Sequence, residues 1–242
     1  MLDGLERDEF VLHYQPIFGL RSERIDRFEA LCRWDHPRRG HLLPNDFIDI
    51  TEHDGVGSVF TAAVLQQAAA DCVSWQNTGI NAGVAVNISP RMLVDLTIPR
   101  LAEGILERTA LDPASLTLEL TEGAGGVGLT AITGAVRELA SIGVRISLDD
   151  FGCADSSLAR LQTLPLSEIK IDRRFITDLP DNDTDATIVR FITTLGRDLG
   201  LDVVAEGIEK AGALAFVRQL GVTSAQGFLL ARPAPIGSLQ HP

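Results

Sequence analysis

The stretch LTAITGAVRELASIGVRISLDDFG (129–152) holds one helix followed by one strand. Its apolar residues recur at intervals of three and four, the spacing of one helix face, at Leu129, Ile132, Val136 and Leu139. Gly143 follows this pattern, where a C-cap is expected, and the run Val144–Leu148 then predicts a strand. The strand is followed at once by two acids, Asp149 and Asp150. This unit therefore predicts a buried strand that delivers carboxylates at its end.

The same alternation of strand and helix repeats along the 242 residues. We predict eight strands, at Phe10–Ile17, Ile25–Trp34, Ala82–Ile88, Leu116–Thr121, Val144–Leu148, Glu168–Ile171, Asp202–Ala205 and Ser224–Leu229. Repeated alternation implies a parallel sheet, because each crossover helix returns the chain to the same edge. Eight strands in a chain of this length favour a closed barrel.

The first two strands depart from this pattern. Only a short turn around Gly19–Glu23 joins them, too short for a crossover helix, so they are expected to be antiparallel. The predicted fold class is therefore α/β, a modified (β/α)8 or TIM-like barrel with an antiparallel first strand. Because no linker rich in Pro, Gly or Ser divides the chain, we expect one domain over residues 1–242, with its core at about 8–235.

Composition narrows the class of protein. A net charge of −12 argues against binding to a nucleic acid polymer or to anionic lipid. The N-terminus MLDGLERDEF is not a signal peptide, and no apolar run approaches a membrane span, so a cytoplasmic protein without membrane insertion is expected. The three cysteines have no CxxC spacing, which indicates neither a disulfide framework nor a zinc site.

Polar residues collect at the predicted strand ends, which form the active-site rim of a (β/α)8 barrel. In chain order these residues are Glu29, Asn87, Glu119, Glu122, Asp149, Asp150, Lys170, Glu206 and Gln226. Any single acid among them could be a solvated loop charge, but as a set they indicate a site.

So many carboxylates at one mouth could not all stay ionised unaided. Salt bridges or bound metal would resolve the repulsion. Salt bridges would need several basic groups, whereas only Arg33 and Lys170 lie at these strand ends. Oxygen ligands of this kind suit Mg²⁺ or Mn²⁺, and their number suits two ions. Lys170 is one of only two lysines in the chain, and it either contacts a water in the site or forms a structural ion pair with a rim acid.

The ordered motifs of the chain resemble those of the EAL domain over about residues 8 to 235. The matching segments are FVLHYQPI (10–17), FEALCRW (28–34), VNIS (86–89), ELTE (119–122), DDFG with SSL (149–152 and 156–158), IKID (169–172), VVAEGIE (203–209) and QGFLLARP (226–233). The resemblance implies hydrolysis of cyclic di-GMP to linear pGpG with two Mg²⁺ or Mn²⁺ ions.

The resemblance also implies a role for each matching residue. One ion would be held by Glu29, Asn87, Glu119 and Asp149, and the second by Asp149, Asp150 and Glu206. Glu29, Lys170 and Glu206 would be catalytic, with Lys170 holding the nucleophilic water. The substrate contacts would be Gln15, Leu31, Arg33 and Gln226, with Arg33 meeting a phosphate. Glu122 would anchor the loop after Asp150.

One loop differs from the pattern of active EAL domains. Cys153-Ala154-Asp155 stands where those members have Thr-Gly-Tyr, although all the expected metal ligands are kept. The alternative function is therefore a catalytically weak EAL domain that acts as a cyclic di-GMP receptor. An unrelated metal-dependent barrel enzyme is a third alternative, disfavoured by the density of the motifs. As partners, the resemblance suggests a homodimer and a regulatory or GGDEF-type domain in a longer parent protein.

Overall fold

The computed structural model describes residues 1–51, 56–94, 97–121, 127–153 and 157–238. The strands are β1 Phe10–Gly19, β2 Ile25–His36, β3 Gly40–Leu42, β4 Gly83–Ile88, β5 Leu116–Thr121, β6 Arg145–Phe151, β7 Glu168–Ile171, β8 Asp202–Ala205 and β9 Ser224–Ala225. The helices are α1 Leu2–Glu6, α2 Ile48–Thr51, α3 Gly57–Asn77, α4 Thr97–Thr109, α5 Leu129–Ser141, α6 Ser157–Thr163, α7 Asp183–Asp198 and α8 Ala211–Leu220.

Eight of the strands close into a barrel in the order β1-β9-β8-β7-β6-β5-β4-β2, and β1 pairs with β2 to complete the circle. Strand β1 is antiparallel to both of its neighbours, whereas the pairs from β2 to β4 and onward to β9 are parallel. The predicted fold class is thus confirmed. The antiparallel first strand follows from the short turn between Gly19 and Ile25, as expected.

Strands β1, β2 and β6 end two or three residues later than predicted, and β4 and β6 begin one residue later. The larger errors are at the last strand and at β3. The last strand ends at Ala225 rather than Leu229, because the chain turns across Ile208 there and a Cβ at Gly227 would lie 2.2 Å from the Ile208 backbone. The short strand β3 was missed. It extends the free edge of β2 beyond the barrel, with Trp34 opposite Leu42 and His36 opposite Gly40.

The two faces of each barrel strand have opposite character. Apolar residues such as Leu118, Leu148 and Ile169 are fully buried in the hydrophobic core. Their neighbours Glu119, Ser147, Glu168 and Lys170 are equally buried but polar, and because side chains alternate along a strand they point into the barrel. The barrel interior is therefore lined with charge, and each charged group in it needs a partner.

The charged interior forms two levels. Near the N-terminal ends of the strands, Arg27 forms a buried ion pair with Glu168, which also accepts a hydrogen bond from Ser147 Oγ at 2.8 Å. Lys170 lies one inward-facing position farther along β7 and belongs to the upper level, toward the C-terminal ends. None of the helices that the structure describes combines the length and the apolar character that a bilayer crossing requires.

Candidate active site

Strand register brings the predicted polar residues to one end of the barrel. Asn87 on β4 is opposite Glu119 on β5, and Thr121 at the end of β5 is opposite Asp149 on β6. Glu206 and Gln226 come directly after β8 and β9. Apart from Glu122, which lies outside the described residues, the side chains selected as strand-end residues therefore meet at the C-terminal mouth, as the barrel rule predicts.

Lys170 is the centre of this group. Its Nζ lies 2.6 Å from Glu206 Oε1, 2.8 Å from Glu119 Oε2, 3.5 Å from Asp149 Oδ1 and 3.8 Å from Glu29 Oε2. The expected ion pair between Lys170 and a rim acid is therefore present, and this one buried lysine contacts four carboxylates. Arg33, the other basic residue considered, instead donates a hydrogen bond to the Cys32 carbonyl at 2.9 Å.

Burial and the neighbouring charges together determine the pKa values of these groups. Burial lowers the pKa of Lys170, but the surrounding carboxylates outweigh it and hold that pKa well above its ordinary value. Burial and the charges of Glu29 and Asp149 hold the pKa of Glu119 well above the usual range. Burial, then Asp149 and Glu29, raise the pKa of Glu206 to about 8. Part of this cluster therefore holds protons at neutral pH.

Glu29 is the exception, because polar side chains converge on it. Its Oε1 accepts a hydrogen bond from Asn87 Nδ2 and its Oε2 one from Gln226 Nε2, each at 2.7 Å. Gln226 Nε2 also donates to Gln15 Oε1 at 2.9 Å. Burial raises the pKa of Glu29, but the charge of Lys170 and these hydrogen bonds outweigh it and lower that pKa. Glu29 is therefore held as a carboxylate in a fixed orientation.

The donor set fits a hard divalent cation. Asp149, Asp150 and Glu206 each offer an oxygen, and these atoms lie within 4.8 Å of one another. Glu119 Oε1 is buried without a hydrogen-bond partner among the described residues, and Asn87 donates through Nδ2, which leaves its Oδ1 for another contact. Oxygen ligands of this kind are those that Mg²⁺ and Mn²⁺ prefer.

The backbone at Asp150 is shaped to aim two adjacent carboxylates at the same place. Pairing between β6 and β7 is irregular between Leu148 and Phe151, and Asp150 has a left-handed φ of 54°. Successive strand residues normally point to opposite faces, and this irregularity lets Asp150 join Asp149 near Glu206. Burial, then Asp149 and Asp172, raise the pKa of Asp150 to about 6.

A cleft of about 260 Å³ opens above the cluster. Among its lining residues are the predicted Gln15, Glu29, Leu31, Asp149, Glu206 and Gln226. Sequence reasoning missed Arg173, Glu209 and Phe228, which line the same cleft. Each of the three follows a predicted site residue by two or three positions in the sequence. Their positions in the loops after β7, β8 and β9 are the signal that could have identified them.

Two predictions of site residues need qualification. Arg33 lies on the β2 face that carries Glu29 and Leu31, but only 9% of the residue is exposed and it does not line the cleft. Glu122, predicted to anchor the loop after Asp150, lies outside the described residues, as do Ala154 and Asp155 of the divergent loop. Their roles stay predictions.

Comparison with known proteins identifies relatives over the whole barrel. The family model of the EAL domain matches residues 1–233. The bifunctional diguanylate cyclase/cyclic di-GMP phosphodiesterase MucR of Pseudomonas aeruginosa is 39% identical over 237 residues, which cover 98% of this chain and 35% of MucR. The cyclic di-GMP phosphodiesterase PdeR of Escherichia coli is 36% identical over 232 residues, which cover 96% of this chain and 35% of PdeR.

A solved structure gives the same result. The PaMucR phosphodiesterase in complex with c-di-GMP is 38% identical, has a TM-score of 0.91, and is matched over 99% of this chain and 97% of that chain. The chain spans about a third of the length of the curated relatives named above.

Proposed function

The chain belongs to the EAL-domain family, and from this premise we propose that it hydrolyses cyclic di-GMP to linear pGpG with divalent metal ions. The observation that carries the proposal is the meeting of Asp149, Asp150 and Glu206 within 4.8 Å, beside Lys170. A phosphodiester needs its charge neutralised as the bond breaks, and this group of oxygens can hold the cations that do so.

The reaction adds one water across one phosphodiester bond. The water oxygen bonds to phosphorus as the bond to the 3′ oxygen breaks. One water proton ends on the released 3′ hydroxyl and the other stays with the new 5′ phosphate. When bound, two Mg²⁺ or Mn²⁺ ions would neutralise the phosphate and lower the pKa of the attacking water. Glu29, Asn87, Glu119 and Asp149 would hold one ion, and Asp149, Asp150 and Glu206 the other.

The remaining residues act on orientation and protons. Lys170 is held by Glu119 and Glu206 beside the acids that would bind the ions, and its ammonium group would donate a hydrogen bond to the attacking water. Gln226 donates hydrogen bonds to both Glu29 and Gln15. The two glutamines line the cleft beside Leu31, where they would contact the substrate. Arg33 would neutralise phosphate charge farther along β2.

The test is incubation of the protein with cyclic di-GMP and Mg²⁺ or Mn²⁺, with the nucleotides separated by chromatography. We expect pGpG as product, no turnover after exhaustive chelation, and inhibition by Ca²⁺, which is larger and tolerates irregular coordination. Glu29→Gln should nearly abolish turnover, whereas Glu103→Gln, a matched change at an exposed position of α4, should leave it intact. Hydrolysis at full rate after chelation contradicts the proposal.

The same experiment separates the receptor function. A protein that binds cyclic di-GMP in the presence of Mn²⁺ but releases no pGpG is a receptor of the same ligand. Absence of any binding contradicts both functions. A homodimer, a cytoplasmic location and a regulatory or diguanylate cyclase domain in a longer parent protein remain predictions.

A further inference from the structure

Two ion pairs cross the barrel, one above the other. Strands β2 and β7 lie diametrically opposite each other in the closed sheet. In the lower level Arg27 on β2 pairs with Glu168 on β7, and in the upper level Glu29 Oε2 on β2 lies 3.8 Å from Lys170 Nζ on β7. Each strand therefore contributes one residue to each level, two positions apart on its inward face.

The order of the charges is reversed between the two strands. Along β2 the basic Arg27 precedes the acidic Glu29, whereas along β7 the acidic Glu168 precedes the basic Lys170. Residues two positions apart on one face of a strand are separated by about 7 Å, a distance that a lysine side chain can bridge to a carboxylate. Lys170 therefore has a competing acid on its own strand.

Both oxygens of that competing acid, Glu168, already have donors. Oε2 accepts a hydrogen bond from Arg27 Nη2, and Oε1 accepts one from Ser147 Oγ at 2.8 Å. Burial lowers the pKa of Arg27, but the charges of Glu168 and Glu119 outweigh it and raise that pKa, so the guanidinium stays charged. The completely buried Glu168 is thus neutralised without Lys170.

We propose that Arg27 and Glu168 are positioning residues, whose ion pair keeps Glu168 from competing with the upper level for Lys170. This inference rests on the proposed function, in which Lys170 donates a hydrogen bond to the attacking water. Without Arg27, Glu168 would be a buried carboxylate that lacks a counter-charge, and Lys170 is the basic residue of the same strand. Its ammonium group would be drawn toward the N-terminal ends of the strands, away from Glu206 and Glu119.

The test removes the lower ion pair in steps. Arg27→Met removes the cation, and the double variant Arg27→Met with Glu168→Gln also removes the carboxylate that is left behind. Ser147→Ala is a milder change, which frees Glu168 Oε1 and leaves the ion pair intact. Arg145→Met is the matched control, because Arg145 pairs with Asp202 at the same end of the barrel and both side chains are partly exposed.

Two measurements follow Lys170 in these proteins. The chain has only two lysines, so protein labelled with ¹⁵N at lysine has at most two side-chain ammonium signals. Lys170 is completely buried and its signal should be protected from exchange with water, whereas the side chain of Lys210 is 58% exposed and should exchange rapidly. The ammonium signal is recorded by NMR without metal and without substrate. Values of kcat and KM for cyclic di-GMP are measured separately with saturating Mn²⁺.

We expect Arg27→Met to shift the Lys170 signal and to lower kcat by about 10- to 100-fold, with KM changed by less than about 2-fold. The double variant should restore the signal and most of kcat, because no buried carboxylate in the lower level then competes for the lysine. Ser147→Ala should shift the signal in the same direction by a smaller amount. Arg145→Met should match the unmodified protein in both measurements.

A double variant that stays as slow as Arg27→Met overturns this inference, since loss of packing alone would give that result. An unchanged Lys170 signal in Arg27→Met also overturns it. If Arg27→Met does not fold, Ser147→Ala decides, and an unchanged signal in that variant overturns the inference. If the unmodified protein has no turnover, the proposed function is overturned and the catalytic role of Lys170 with it, whereas the ammonium signal still decides whether the lower ion pair positions this lysine.

Discussion

The ammonium nitrogen of Lys170 lies 2.8 Å from Oε2 of Glu119, and both side chains are completely buried in the barrel. Neither charge is stable alone in such a place, since an isolated buried ion carries a large desolvation penalty. Glu206, Asp149 and Glu29 also lie within 3.8 Å of the same nitrogen. One lysine thus holds together the acids that would bind metal.

Replacing Lys170 by Met should destabilise the metal-free protein by about 3 kcal/mol at pH 8, because the carboxylates lose their buried counter-charge. The loss should shrink at pH 5, where protonation removes part of the repulsion. Urea unfolding at the two pH values, without metal, measures the difference. Lys210→Met is the matched control: this lysine is exposed, and its loss should cost less than about 0.5 kcal/mol. A pH-independent loss would contradict the explanation.

Metal affinity should rise with pH. Burial, then Asp149 and Glu29, raise the pKa of Glu206 to about 8, so below that pH the carboxyl group must lose a proton before it can act as a ligand. Affinity for Mn²⁺ should therefore increase by about fivefold from pH 7 to pH 8. Calorimetry in two buffers of different ionisation enthalpy counts the protons released. Glu206→Gln should bind more weakly and release fewer protons, and an affinity unchanged between pH 7 and pH 8 would show that Glu206 is already ionised.

Local sequence patterns predicted most of the fold. Three strands have the predicted bounds: Leu116–Thr121, Glu168–Ile171 and Asp202–Ala205. Each is a short apolar run, and such a run is itself a signal for a buried strand. The end of β9 could not be predicted in the same way. Phe228 and Leu229 continue the apolar run, but close contact between Gly227 and the Ile208 backbone ends the strand, and no local pattern encodes that contact.

The candidate site was predictable where strand ends define it and not where loops do. Glu29, Glu119, Asp149 and Lys170 follow from strand positions and barrel geometry alone. Arg173, Glu209 and Phe228 reach the cleft through the paths of their loops, which strand periodicity does not describe. The coordination of several acids by a single lysine also depends on distances across the barrel, which sequence spacing does not give.

Arg173 should contribute to substrate affinity. It lines the cleft two residues after the end of β7, and its guanidinium is a candidate donor to phosphate or base oxygen atoms. Arg173→Gln should raise KM by about 10-fold with a smaller effect on kcat. Arg197→Gln is the matched control, because that arginine is exposed on α7 and pairs with Asp198. Steady-state kinetics with Mn²⁺ measures both values, and an unchanged KM in Arg173→Gln would contradict the role.

The loop Cys153-Ala154-Asp155 should limit turnover. It follows Asp149 and Asp150 after only two residues, so we expect a change in the loop to shift those carboxylates. A displacement of about 1 Å at a catalytic metal ligand can lower a rate by ~100-fold while leaving ground-state binding almost unchanged. Restoring Thr, Gly and Tyr at positions 153, 154 and 155 should therefore raise kcat with little change in affinity for cyclic di-GMP. Saturating Mn²⁺ removes differences in metal occupancy from the comparison, and equal kcat values would show that this loop does not limit the enzyme.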